Sequence, residues 1–171
     1  MEGGGIEPHS SAAWSHRNEA LCETPKNVHE GGTTMTIQIE NVSLEGARRV
    51  IAAGEAKANE IEQPMNIAVV DGGGNLVAHA RMDGAWIGSV DVSINKAFTA
   101  RAFDITTEDL ADNSQPGQQF YGIQASNEGR IMVFAGGIPL HKDDKVVGAV
   151  GVSGGLGEQD IAVAEAAAEA F

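Results

Sequence analysis

The sequence predicts an α+β fold in which helices pack on a mostly antiparallel sheet. Three observations carry that reading. Two apolar runs, "MNIAVVD" (65–71) and "NLVAHARMD" (75–83), flank Gly72-Gly73-Gly74, and a glycine turn between such runs is a hairpin signal. Further short apolar runs meet at the polar turn Lys142-Asp143-Asp144. Helical patterns enclose both sets, and hairpins outnumber crossovers, which favours antiparallel pairing.

The elements follow in order. "TIQIE" (36–40) alternates like a short strand. Ser43 is placed to cap a helix running to about Ile61. Its apolar face is Leu44, Ala47, Ile51, Gly54, Ala58 and Ile61, with Arg48, Arg49, Glu55, Lys57 and Glu60 largely opposite. Pro64 ends it. After the hairpin, residues 89–103 read as a helix capped by Ser89, with Val90, Ile94, Ala97, Phe98 and Arg101 on one side. Thr106, with Asp109 three residues on, predicts a further short helix to about Asn113. No period survives from Ser114 to Arg130. Residues 130–155 then read as about three strands, divided by Gly136-Gly137 and the turn at 142–144. The last segment, 157–171, is a helix with Glu158 and Asp160 in its first turn, where negative charge suits the helix dipole.

Residues 1–34 stand apart. They hold His9, His16, His29 and Cys22 at spacings that match no zinc pattern, with no sustained period. They read as a disordered extension from an upstream start, ahead of a single domain over 35–171 that opens at Met35. A net charge of −13 argues against nucleic acid or anionic membrane as a partner. The sequence also lacks an apolar run of membrane-spanning length and an apolar leader, so a cytoplasmic location is expected.

The stretch "VGAVGVSGGLGEQD" (147–160) invites a phosphate-cradle reading, which fails on three counts. It lies too near the C-terminus for a dinucleotide βαβ unit, no Lys-Ser or Lys-Thr follows it, and its helix starts with acids. Ser153 in "GVSGG" resembles a hydrolase elbow, but no histidine follows it to complete a triad. The backbone of Ser153 and Gly154 is expected instead to wall a pocket. For iron, residues 35–171 offer His79 and His141, with Met65, Met82, Met132 and Tyr121 as weaker ligands. His79 shares a predicted strand face with Val77 and Arg81, so it is either a ligand or a solvent or subunit contact. His141 opens a polar turn.

The densest polar set is Arg81, Asp83, Asp91, Lys96 and Arg101. A buried cation here could grip a carboxylate such as a haem propionate, or it could form a structural ion pair.

The segments "LVAHARMDGA", "SINKAFTARAF", "GGIPL" and "VGAVGVSGGLGEQDIAVAEA" resemble the GlcG/HbpS family (PduO C-terminal-like, DUF336), over about residues 36–170. The resemblance implies a profilin-like fold, with a five-stranded antiparallel sheet between helices in α/β/α layers, and homo-oligomers. It also implies haem as cofactor, with haem degradation or redox sensing as roles. Its motif positions carry over as Arg81, Asp83 and Gly84, then Lys96, Thr99 and Ala100, then Gly136, Gly137 and Pro139. In the last segment they are Gly151, Ser153, Gly154, Gln159 and Asp160. Where the family commonly shows a "GGPLFG"-like stretch, this chain has "QPGQQFYG" (115–122), a departure in an expected pocket loop. Haem is expected near Phe120 and Tyr121, with Lys96 or Arg81 at a propionate and Thr99, Gly136 and Gly137 around it. The alternative is a catabolic enzyme or accessory protein for a hydroxy acid or related carboxylate. There Arg81 and Lys96 hold the substrate, and Asp83 or Asp160 serves as general base.

Overall fold

The computed structural model describes residues 35–171, so the expectations for residues 1–34 lie outside the described residues. Helix α1 (Leu44–Glu60) starts where the sequence places it, because Ser43 Oγ accepts from Gly46 N at 3.0 Å. Strands β1 (Asn66–Asp71) and β2 (Leu76–Arg81) form the expected hairpin. Helix α2 (Gly88–Phe103) and helix α3 (Thr107–Asn113) follow, the latter capped by Thr106 Oγ1 accepting from Asp109 N at 3.0 Å. Two short 3-10 turns occupy part of the segment to Arg130. Strands β3 (Gly137–Lys142) and β4 (Lys145–Ser153) form a second hairpin, and helix α4 (Gly157–Glu169) closes the chain.

The sheet order is β2-β1-β4-β3, antiparallel throughout. The expected fifth strand is therefore corrected to four. Residues 36–40 join no ladder and are exposed; the backbone first reaches the sheet through Val42 N and Val147 O, at 2.9 Å. Residues 130–134 also stay outside the sheet, because their polar groups turn to helix α2 instead. Met132 N donates to Thr99 Oγ1 at 2.9 Å, and that hydroxyl itself donates to Asn95 O at 2.7 Å.

Residues Gln38–Phe171 form one compact unit. Helices α1 and α4 pack on the face made by Ile67, Val69, Val150 and Val152, all fully buried. Each such side chain contributes about 1.5–3 kcal/mol of hydrophobic stabilisation. Helix α2 covers the other face over Ala68, Val70 and Ala149. The α2 face also needs correction. Of the predicted Val90, Ile94, Ala97, Phe98 and Arg101, only Ala97 is fully buried; Ser93, Lys96, Thr99 and Ala100 join it inside. Close approach explains this. A Cβ on Gly151 of β4 would collide with Ser93 O and Ala97 N, so backbone meets backbone here and leaves room for small residues only.

The first hairpin is tied by its own acid. Asp71 Oδ1 accepts from Gly73 N at 2.8 Å and from Asn75 N at 2.9 Å. Burial pushes this carboxyl up, but the bonds from Asn75 and Gly73 outweigh it and hold its pKa below the usual value of 3.8. Asp71→Ala is expected to cost about 1–2 kcal/mol at neutral pH. A depressed folded pKa gives stability that is complete above 3.8 and lost as pH falls through the folded value. The gap between variant and parent in urea denaturation therefore shrinks with acidification, and a constant gap would remove this account.

Candidate functional site

The motif residues gather where α2 crosses the sheet, but their charges are turned inward. Lys96 is fully buried. Its Nζ donates to Asp160 Oδ2 at 2.6 Å and to Val152 O at 2.9 Å, and lies 4.5 Å from the Phe134 ring centre. Burial pulls the lysine pKa down, and Asp160 opposes that pull. Asp160 Oδ1 accepts from Gly154 N at 3.1 Å and Gly155 N at 3.0 Å. The glycine turn therefore does hold an anion, and that anion is the carboxylate of its own helix. Of the two readings of Lys96, the ion pair is the one this geometry supports, and neither Lys96 nor Asp160 faces solvent.

The other expected residues scatter. Thr99 is buried and fixes residues 130–132 to α2. Gly136 and Gly137 are buried against Lys96. Gly136 has φ +113, and an added Cβ would lie 2.6 Å from Val152 O; Gly137 N donates to Thr107 Oγ1 at 2.9 Å. Ser153 is buried beside Asn66 on the α2 side, while Gly154 O accepts from Gln63 Nε2 at 2.8 Å. Phe120 and Tyr121 are exposed on the loop after α3. His141 is exposed near the β3–β4 turn. Arg101 pairs with Asp104, and Asp91 accepts from Asn95 at 2.9 Å.

Asp83 lines an open cleft of about 540 Å³ with Glu55, Glu62, Asn59, Gln63 and Met82. Among the described residues, three carboxylates and no cation line that cleft. It disfavours propionates and carboxylate substrates alike.

His79 and Arg81 remain on the α2 side of edge strand β2. A β-bulge at Val69/Val70 breaks the expected face, and Val77 packs with the α1–α4 core instead. His79 is half-buried, its Nε2 3.3 Å from Ser93 Oγ, and burial holds its pKa below 6.5. Arg81 is exposed, with no ion pair among the described residues.

A family model described as "Haem degrading protein HbpS-like" matches residues 42–169. The chain belongs to the HbpS-like family. A 15.0 kDa protein of the dhaT-dhaS intergenic region of Citrobacter freundii is 46% identical to this HbpS-like chain, over 78% of it and 94% of the relative. The crystal structure of Klebsiella pneumoniae ORFY superposes with TM-score 0.80 at 40% identity, covering 82% of this chain and 97% of that one. The crystal structure of a PduOC:heme complex superposes with TM-score 0.74 at 31% identity, covering 77% and 95%. In this HbpS-like chain the motif residues Lys96, Gly151, Gly154 and Asp160 serve α2–sheet–α4 packing.

Two polar residues beside the site escape the sequence reading. Ser93 touches His79, and Asn66 donates to Trp86 O at 3.0 Å with its own Oδ1 buried and unpartnered. The available signal was polarity at positions that otherwise read as helix and strand interior.

Proposed function

We propose that this chain binds haem. The observation that carries the reading is the likeness to the PduOC:heme complex, which spans nearly all of that chain. The residues present fit the group. An imidazole and an exposed cation, His79 and Arg81, share one strand face, and an iron porphyrin with propionates calls for both side-chain types. Of the expected ligand-binding residues, Arg81, Phe120 and Tyr121 keep open side chains and stay in the proposal. Lys96 supports the fold beneath them.

Bound haem supplies iron-centred redox chemistry, and the family's description supports haem degradation as the finer role, with redox sensing as its alternative. Self-association belongs to the same reading; exposed Trp86, Ile87 and Leu156 support it. Among the described residues, no helix is long and apolar enough to cross a membrane. Titration with ferric hemin tests the proposal. A saturable Soret shift at one equivalent per chain or per subunit pair is expected, and a linear, unsaturable change overturns it. Loss of the Soret band with reductant and oxygen, beyond that of free hemin, then tests degradation.

A further inference from the structure

The hydrogen bonds around His79 favour one tautomer, because Val90 O is nearer to the Ser93 hydroxyl than the ring is. Ser93 Oγ donates to Val90 O at 2.9 Å, which uses the only proton the hydroxyl has. We assign the contact at 3.3 Å with His79 to the ring, with Nε2–H donating to Ser93 Oγ. A neutral imidazole carries one N–H, so its Nδ1 keeps a free lone pair. Among the described residues, the buried side-chain atoms without a partner are Asn66 Oδ1 and Arg101 Nε. Nδ1 has no described partner and is not one of these buried atoms.

The surroundings suit a flat apolar ligand. Val90, Ile94 and Phe98, one helical turn apart, stand half-buried along α2. Phe98 lies against the Gly74 turn of the first hairpin, and the Arg130 guanidinium sits 3.7 Å above its ring. Arg81 stands two residues beyond His79 on the same side of β2. A ring nitrogen, an apolar wall and an exposed cation thus line one seam between α2 and the sheet edge. His141, on the exposed β3–β4 hairpin, has no such wall.

We infer that this seam holds the haem, with His79 Nδ1 as the iron ligand and Arg81 opposite a propionate. The inference rests on the haem reading above. Ser93 is a positioning residue, which acts by choosing the ring nitrogen that stays unprotonated.

Ferric hemin titrated into the full chain, read by absorption and electron paramagnetic resonance, tests this. Wild-type protein is expected to give an imidazole-ligated spectrum. His79→Ala is expected to lose that signature, and added imidazole to restore it. Ser93→Ala is expected to weaken binding about tenfold, with Ser93→Thr recovering it. Arg81→Ala is expected to keep the spectrum while its affinity falls about tenfold. A full-chain variant with His9, His16, His29 and His141 replaced by Ala is expected to match wild type. Circular dichroism of each apo variant reports the fold. If His79→Ala binds hemin with the wild-type spectrum and affinity, the ligand assignment falls and haem binding stands. If wild-type protein shows no saturable binding, the haem reading itself falls.

Discussion

Lys96→Met lowers the unfolding free energy by about 3–5 kcal/mol, because it strands the Asp160 carboxylate in a site closed to water. The cost reaches beyond one pair. Asp160 also accepts from Gly154 N and Gly155 N, so an unneutralised carboxylate disturbs the turn that leads β4 into α4. Asp160→Asn keeps an oxygen acceptor for those two N–H groups but leaves the ammonium with Val152 O and a neutral amide. It is expected to cost less than Lys96→Met, since a lysine whose pKa is already pulled down by burial sheds its proton more readily. The double variant, Lys96→Met with Asp160→Asn, recovers at least half of the larger loss, the non-additivity of a coupled pair. Urea denaturation with matched slopes measures all three. Single variants that each cost under about 1 kcal/mol would instead mark a solvent-screened pair.

Gly151→Ala lowers stability by about 3 kcal/mol or more, through overpacking against atoms that cannot move aside. The new methyl group meets Ser93 O and Ala97 N, which are α2 backbone, so relief requires lifting the helix off β4. Gly157→Ala is the internal contrast. It sits at the first position of α4 with nothing within 4 Å of an added Cβ. There the substitution is expected to be neutral or to raise stability by up to about 1 kcal/mol. Equal melting temperatures for the two variants would count against backbone contact between α2 and β4.

Local chemistry is what the sequence exposed. Ser43 and Thr106 announce helix starts, Gly72–Gly74 announces a hairpin, and the family segments announce the layered fold. Long-range partnership stayed hidden. "TIQIE" alternates like a strand and "RIMVF" is a short apolar run, yet a strand needs a free ladder edge, and Thr99 draws the second segment away. The apolar spacing of Val90, Ile94 and Phe98 suggested a core face. Gly151, far along the chain, admits the helix so closely that Ser93, Lys96 and Thr99 go inside instead. For the site, residue type revealed His79 and Arg81 as candidates. The contact between Ser93 and His79, which bears on what the imidazole can do, follows only from the folded helix.

The central pairing of β1 with β4 also bears on how the protein is made. Asn66 pairs with Ser153, so the first hairpin emerges from the ribosome long before its main sheet neighbour. Until β4 is synthesised, Ile67 and Val69 have only β2 and α1, and a two-stranded hairpin is marginal in water. The exit of α2 covers one face, while α1 alone covers the other, which lacks Val150 and Val152 of β4 and the residues of α4. Translation stalled before residue 145 therefore leaves a chaperone substrate rather than half a domain.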